Sequence, residues 1–281
     1  MSLRAARLIS RTWWSISVLS LLAVVGILLF IFFFVAVQGL PALRPSLFTT
    51  VTNGVAGGLA NAIAGTLLLV GYALVLVVIV GLGTAAWIVE FASPRMRTIV
   101  RLCIDVLAGV PSVVVGYFLY VGLVEGLGWG FSLVAGAFAL AIIMLPYVVR
   151  SADIALSAVP RELREGAVAL GSREATVFVT IALPWAAPGM LTGLLLATGI
   201  ALGETAPLIY TAGWSNYMPS FAPTHSPVGY LTYVVWTFIS QPFAQSHQLA
   251  YAAAALLMLF IFITNLASRT ALEAWATKHH H

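Results

Sequence analysis

The chain has 281 residues, 61% of them hydrophobic and 8% charged, with a mean hydropathy of +1.04 and a formal net charge of +4. An ordinary soluble domain carries about 25% charged residues, so this composition excludes one and indicates a membrane protein. The single cysteine, Cys103, excludes an internal disulfide and a cysteine metal cluster.

Six runs are long enough to cross a bilayer, which takes about 20 mostly apolar residues as a helix. In chain order they lie at roughly Trp14–Val37, Gly65–Val89, Ile99–Leu123, Phe131–Val149, Ala186–Tyr210 and Leu249–Leu266. Helix is required because lipid supplies no partners for backbone groups. A β-barrel would need short alternating strands, and these runs are continuous. The expected class is therefore all-α and polytopic, with about six spans. Arg4, Arg7 and Arg11 precede the first run as they would in a secretion signal. Its apolar part exceeds a signal's about 7–15 residues, so it is read as a retained span. One integral-membrane domain is expected over 1–278, with an N-terminal span about 12–38 and a core about 55–268. His279–His281 read as a tag remnant.

Charge predicts orientation. Arg4, Arg7, Arg11, Arg95, Arg97, Arg101, Arg150, Arg161, Arg164, Arg173, Arg269 and Lys278 fall on one side of the six spans, and only Arg44 falls on the other. The positive-inside rule makes the first side cytoplasmic, with both termini inside. Arginines confined to short loops need no polyanion, so no nucleic-acid partner is expected.

The two long loops differ. The outer one, Thr211 to Gln248, holds no Lys, Arg, Asp or Glu and is rich in aromatics and prolines. Its apolar stretch VGYLTYVVWTFIS is too short to span and is expected at the outer interface, either as a lipid-facing lid or as a docking surface or gate. The cytoplasmic one, Arg150 to Pro184, reads as two short helices. Pro160 suits a first helical position with Glu162 in the first turn. Arg161 and Glu165 are spaced to pair on one face. Gly171 suits a left-handed helix end, and Ser172 is expected to cap the next helix. Such an elbow is either gripped by another protein or packed on its own bundle.

Within the fifth run, GIALGETAPLIYTAG places Glu204 at membrane depth. A charge there costs several kcal/mol and by default marks a pathway. Pro207 frees a carbonyl one turn earlier, near Gly203, and Thr205 adds a hydroxyl. Gly199 and Gly203 permit close helix approach. The stretch reads as a bent helix lining a polar cleft. Two alternatives are that Glu204 pairs with an arginine of a partner subunit, or is a protonated acid bonded within the bundle. Pro111 and Ser112 break the third run, either exposing helix-end amides or making a packing kink. Asn61 and Thr66 are expected to hydrogen-bond between helices. Arg101 with Asp105, and Arg150 with Asp153, are expected as structural pairs, with Glu90 and Glu125 solvated at span ends.

The elbow reads Glu165-Gly166-Ala167, then Gly171, nine residues, and Ile181-x-Leu183-Pro184. It resembles the EAA loop of ABC-importer permeases, departing only in Gly166 for the usual Ala. The resemblance implies the type I permease fold and makes Glu165, Ala167 and Gly171, with Arg161 beside them, the coupling contact to an ATPase subunit. NAIAGTLLLV, DVLAGVPSVVVGYF, GETAPLIYTAG and AYAAAALLMLFIFITN resemble the PstA-type permeases of phosphate importers, over nearly the whole chain from Asn53. Ile200 stands where such permeases often carry Arg, a cation the partner permease would then supply.

The resemblance implies ATP-driven phosphate import by alternating access across a bacterial inner membrane. It implies as partners a second, PstC-like permease, two PstB-like ATPase subunits and a PstS-like phosphate-binding protein. ATP and Mg would sit on the ATPase subunits, since no Walker loop occurs in this chain and no cofactor or metal is expected on it. Permeases for molybdate, sulfate or phosphonate are the nearest alternatives. A membrane enzyme would need clustered Asp, His or Glu, which here are scattered. A phosphate-signalling scaffold would use the same elbow.

Overall fold

A computed structural model describes residues 3–220 and 222–279; residues 280 and 281 of the expected tag remnant lie outside them. The first apolar run forms one unbroken helix, α1 (Leu3–Gly39), followed by a short helix α2 (Pro45–Thr49) and a two-residue-per-strand hairpin, β1 (Thr52–Asn53) with β2 (Ala56–Gly57). The second run is α3 (Ala60–Val77), which passes through a π-helical stretch, Val78–Leu82, into α4 (Gly83–Glu90). Ser93 then accepts from the Met96 amide and Pro94 fills the next position, so α5 (Pro94–Ala108) starts where capping chemistry favours it. Arg97 turns back to donate to the Ile88 and Val89 carbonyls, satisfying the open end of α4.

The third run is two helices. At Pro111 the chain turns by 98° between Pro94–Ala108 and Ser112–Gly126, so α6 (Ser112–Leu119, extended by a π-helical Tyr120–Gly126) does not continue α5. Pro111 has no backbone donor to extend the earlier helix. Among the described residues, five helical segments are long and apolar enough to cross a membrane, and this bent pair would make the sixth. The fourth run is α7 (Leu133–Ser157), capped by Ser132. The elbow is α8 (Arg161–Ala169) and α9 (Glu174–Val177), the latter running through a π-helical Phe178–Ala182 into α10 (Leu183–Gly203). The remainder is α11 (Ala206–Thr211), α12 (Leu231–Phe238) and α13 (Ala244–His279).

The main core lies where α3, α7 and α10 meet, with Leu69, Val77, Leu140, Met144, Val148, Ala197 and Ala201 buried. A second core joins α12 to α13 around Leu231, Val234, Phe238, Ala253 and Leu256. Here the expected interfacial lid is corrected. Tyr230, Leu231, Val234 and Phe238 are fully buried, and the stretch is wedged into the bundle with Trp236 left exposed. Apolarity alone does not distinguish a lipid neighbour from a protein one. Polar groups fasten this wedge: the Leu231 amide donates to Thr66 Oγ1 at 2.9 Å, and Asn61 Nδ2 donates to the Ser215 carbonyl at 2.9 Å. Asn61 Oδ1 also accepts from the Thr52 amide and hydroxyl, so Thr66 joins two helices as expected, whereas Asn61 ties α3 to the hairpin and the Ser215 loop rather than to another helix. Gly65 lets the wedge in, because a Cβ there would strike the Gly229 carbonyl and Val228.

The charge pairs also differ from their sequence spacing. Arg101 makes a two-pronged ion pair with Asp153 on α7, both bonds 2.8 Å, and Asp105 faces Arg150 at 3.6 Å. The expected Arg101–Asp105 and Arg150–Asp153 pairs within helices are replaced by pairs between them. A guanidinium fork meets a carboxylate edge-on, and the α5–α7 seam offers that approach. Glu90 is not solvated: it is held by Arg164. Glu125 accepts from the Tyr120 hydroxyl at 2.7 Å.

Candidate functional site

Glu204 ends α10. Its backbone is extended (φ −72°, ψ 132°), its amide reaches back to the Ala201 carbonyl, and α11 begins two residues later with Pro207 near its start. The missing Pro207 donor leaves the ladder open at this point. The Glu204 carbonyl is taken instead by Thr232 Oγ1 of α12, at 2.8 Å. The buried wedge thus holds the break in place. Thr205 and the Glu204 side chain are half-buried, and Pro207 is buried. A Cβ added at Gly203 or Gly199 would meet no other element within 4 Å among the described residues, so within this chain they make no close helix approach, contrary to expectation. The helices that pack tightly here meet at another glycine.

That glycine is Gly116 of α6. A Cβ there would collide with the backbone of Pro207, so α6 lies directly on α11. Ser112, one turn earlier on α6, therefore comes to lie beside the Glu204 carboxylate on one cavity wall. Glu204, Ser112 and Tyr147 line a cavity of about 180 Å³ whose walls are otherwise apolar: Leu107, Val115, Ile142 and Pro146 among them. Two breaks far apart in sequence, at Pro111 and at Glu204, thus open onto one cleft. A second, very small cavity adjoins Glu204 from the wedge side and is lined by Thr66, Tyr230 and Thr232. The Tyr230 hydroxyl is buried without a hydrogen-bond partner among the described residues. The cleft offers a carboxylate acceptor and a hydroxyl in an apolar surround. Among the described residues, no group of three His, Cys, Asp or Glu side chains could hold a metal.

The elbow lies at the other end of α7. Gly171 adopts φ +86°, the left-handed end expected of it. Ser172 does not cap α9: the N-cap is Arg173, without a side-chain bond. Nor do Arg161 and Glu165 form an ion pair among the described residues. Arg164 instead pins the elbow, gripping Glu90 at the end of α4 and donating to the Leu156 carbonyl at 3.1 Å. Glu165 and Val168 line a cavity of about 480 Å³ with Glu90, Phe91 and Phe178, and Leu170 beside Gly171 is 89% exposed. Arg161 and Glu162 are exposed and Ala167 is half-buried.

The model of the family "Binding-protein-dependent transport system inner membrane component" matches residues 77–275. The chain belongs to this family. The permease is 40% identical over 257 residues to the phosphate transport system permease protein PstA 2 of Mycobacterium bovis, covering 92% of this chain and 85% of that one. It is 37% identical over 249 residues to the phosphate transport system permease protein PstA of Pasteurella multocida, covering 86% of each. A subunit of the MetNI methionine ABC transporter, solved in inward-facing conformations, has the same fold with a TM-score of 0.65 at 15% identity, over 77% of this chain and 95% of that one. The permease is thus a multi-pass inner-membrane component of an ABC importer, the kind that works with separate ATPase and substrate-binding proteins.

Four residues that shape the two sites escaped the sequence reading of the permease. Arg164 appeared only as one loop charge among many. Thr232, Gly116 and Tyr147 carry no signal of their own, because each matters through a neighbour more than 25 positions away.

Proposed function

We propose that the permease moves inorganic phosphate inward by alternating access, with the cleft at Glu204 as part of the path. The supporting observation is the placement of Glu204: half-buried, beside Ser112, at the meeting of two helix breaks that open onto one apolar cavity. Phosphate at neutral pH still carries a P–OH proton, whereas sulfate does not. A carboxylate accepts that proton in a charge-assisted hydrogen bond and repels a fully ionised competitor. Glu204 would thus select, Ser112 would donate to a phosphoryl oxygen, and Thr205, Gly203, Pro207 and Pro111 would shape the opening. The names of the relatives favour phosphate over other oxyanions.

The chain would act as one membrane domain beside a PstC-like permease, which supplies the cation missing at Ile200. A PstS-like protein would deliver phosphate at the periplasmic face. Two PstB-like ATPases, holding ATP and Mg, would grip Arg161, Glu165, Ala167 and Gly171 of the elbow on the cytoplasmic side, where the arginine distribution puts both termini. Arg164 makes the elbow a lever rather than a loose loop, since it ties α8 to α4 and to the end of α7.

The test is phosphate uptake by the assembled transporter carrying Glu204→Gln, beside Glu165→Ala as an uncoupling control. A hydrogen bond to a charged group is worth about 1.5–3 kcal/mol, so Glu204→Gln is expected to lower uptake about ten- to hundredfold and to weaken discrimination against sulfate. Normal uptake with unchanged sulfate rejection would remove Glu204 from the path.

A further inference from the structure

Below the Glu204 cavity, the same two helices carry a second polar site. On α7, Ile143, Pro146 and Tyr147 line the first cavity, and Arg150, Asp153, Ile154 and Ser157 line the next, of about 440 Å³. These positions recur every three or four residues and therefore form one stripe along one face of α7. On α5, Leu107 and Ala108 face the first cavity and Arg101 the second, with Asp105 between them. Tyr147 and Arg150 are about 5 Å apart along the helix axis, at 1.5 Å per residue. The two cavities thus lie in series in the α5–α7 seam, toward the elbow end of α7.

The three charges lining the second cavity, Arg101, Arg150 and Asp153, and Asp105 paired with Arg150 beside it, are not equivalent. Arg101 is locked by two 2.8 Å bonds to Asp153, whose side chain is 6% exposed and has no other cation among the described residues. Arg150 and Asp105 are more than half exposed and meet only at 3.6 Å. Removing Arg101 would strand a buried carboxylate, which makes it a structural cation. Arg150 is free to leave Asp105, and a phosphate oxygen presents the same acceptor geometry as the carboxylate it would replace.

We propose that Arg150 is a second oxyanion site of the permease, receiving the anion from the Glu204 cavity and exchanging it against Asp105 before release at the elbow end. The inference rests on the phosphate reading above. Asp105 is then an internal substitute for the substrate: it keeps Arg150 neutralised when the site is empty and displaces the anion when it leaves. A site that binds without such a competitor would retain its anion and slow release, since conduction needs exit as well as entry.

The experiment is ATP-driven uptake of radiolabelled inorganic phosphate into proteoliposomes holding the complete transporter, with ATPase rate and subunit stoichiometry measured in parallel. Arg150→Gln is expected to lower uptake about tenfold or more, with assembly and basal ATP hydrolysis kept. Arg150→Lys, which keeps the charge but loses the fork, should retain about a third of the uptake. Asp105→Asn breaks the same ion pair while sparing the cation, and should lower uptake about twofold because release slows without the competing carboxylate; the double variant with Arg150→Gln should fall no further than Arg150→Gln alone, since Asp105 acts through Arg150. Wild-type uptake in Arg150→Gln overturns the proposal, as does wild-type uptake in Asp105→Asn or a further loss in the double variant. Loss of assembly in Arg150→Gln overturns it as well. A wild-type transporter that takes up no phosphate sinks the phosphate reading itself; wild-type uptake that Arg150→Gln leaves untouched sinks only this inference.

Discussion

The helix α1 and the broken pair α10–α11 are both long apolar stretches, yet they fold under different constraints. Over its span α1 is continuous, packs mainly on α13 and keeps almost every large side chain exposed, from Trp13 to Val37. The α10–α11 stretch is interrupted at Glu204, is crossed by α6 and fastened by Thr232. An uninterrupted helix satisfies its own backbone and needs only an apolar surround. A helix opened at membrane depth survives only where neighbours take up the freed groups, and those neighbours build a cavity. Polar chemistry in this permease is therefore found where helices break and are braced.

Three substitutions sharpen or break that contrast. The largest effect belongs to Gly116→Leu, which drives a side chain into the Pro207 backbone. Overpacking of this kind costs about 1–3 kcal/mol, so the thermal midpoint of the purified permease should fall and phosphate uptake should collapse as α6 leaves α11. An unchanged midpoint would mean that the two breaks do not share a cleft. Next is Tyr230→Phe, beside the small cavity next to Glu204. Deleting a buried hydroxyl that has no partner should leave stability unchanged or raise it by about 1 kcal/mol. A marked fall in the midpoint would show that the hydroxyl is satisfied after all. The smallest effect is expected from Phe30→Leu on α1, where the ring is 67% exposed and touches Phe34. The change should stay within about 0.5 kcal/mol and leave uptake as it was. A large loss there would make α1 part of the working core.

Much of this could be read from the chain alone. Pro111, Pro207 and Glu204 mark both breaks because a missing donor and a charge in oil are local facts. Gly171 marks the elbow because a left-handed residue is a local fact too. The pairings were less legible. Arg101 lies four residues before Asp105, yet it bonds Asp153, since helical spacing makes a contact available without making it the best one. The same holds for Arg161 and Glu165 against Arg164 and Glu90. The stretch around Tyr230 read as interfacial because a hydropathy pattern cannot tell acyl chains from α3 and α13.

Sequence by itself determined that this chain lives in a membrane as a set of helices, where those helices break, and which loop resembles an ATPase grip. Each follows from composition, or from residues whose backbone chemistry acts within one turn. Only the tertiary structure decided that the breaks at Pro111 and Glu204 face one cavity, that Thr232 closes the open carbonyl, and that four charges exchange partners between α5 and α7. Those outcomes depend on which helix lies beside which, and that is settled by packing across the whole bundle.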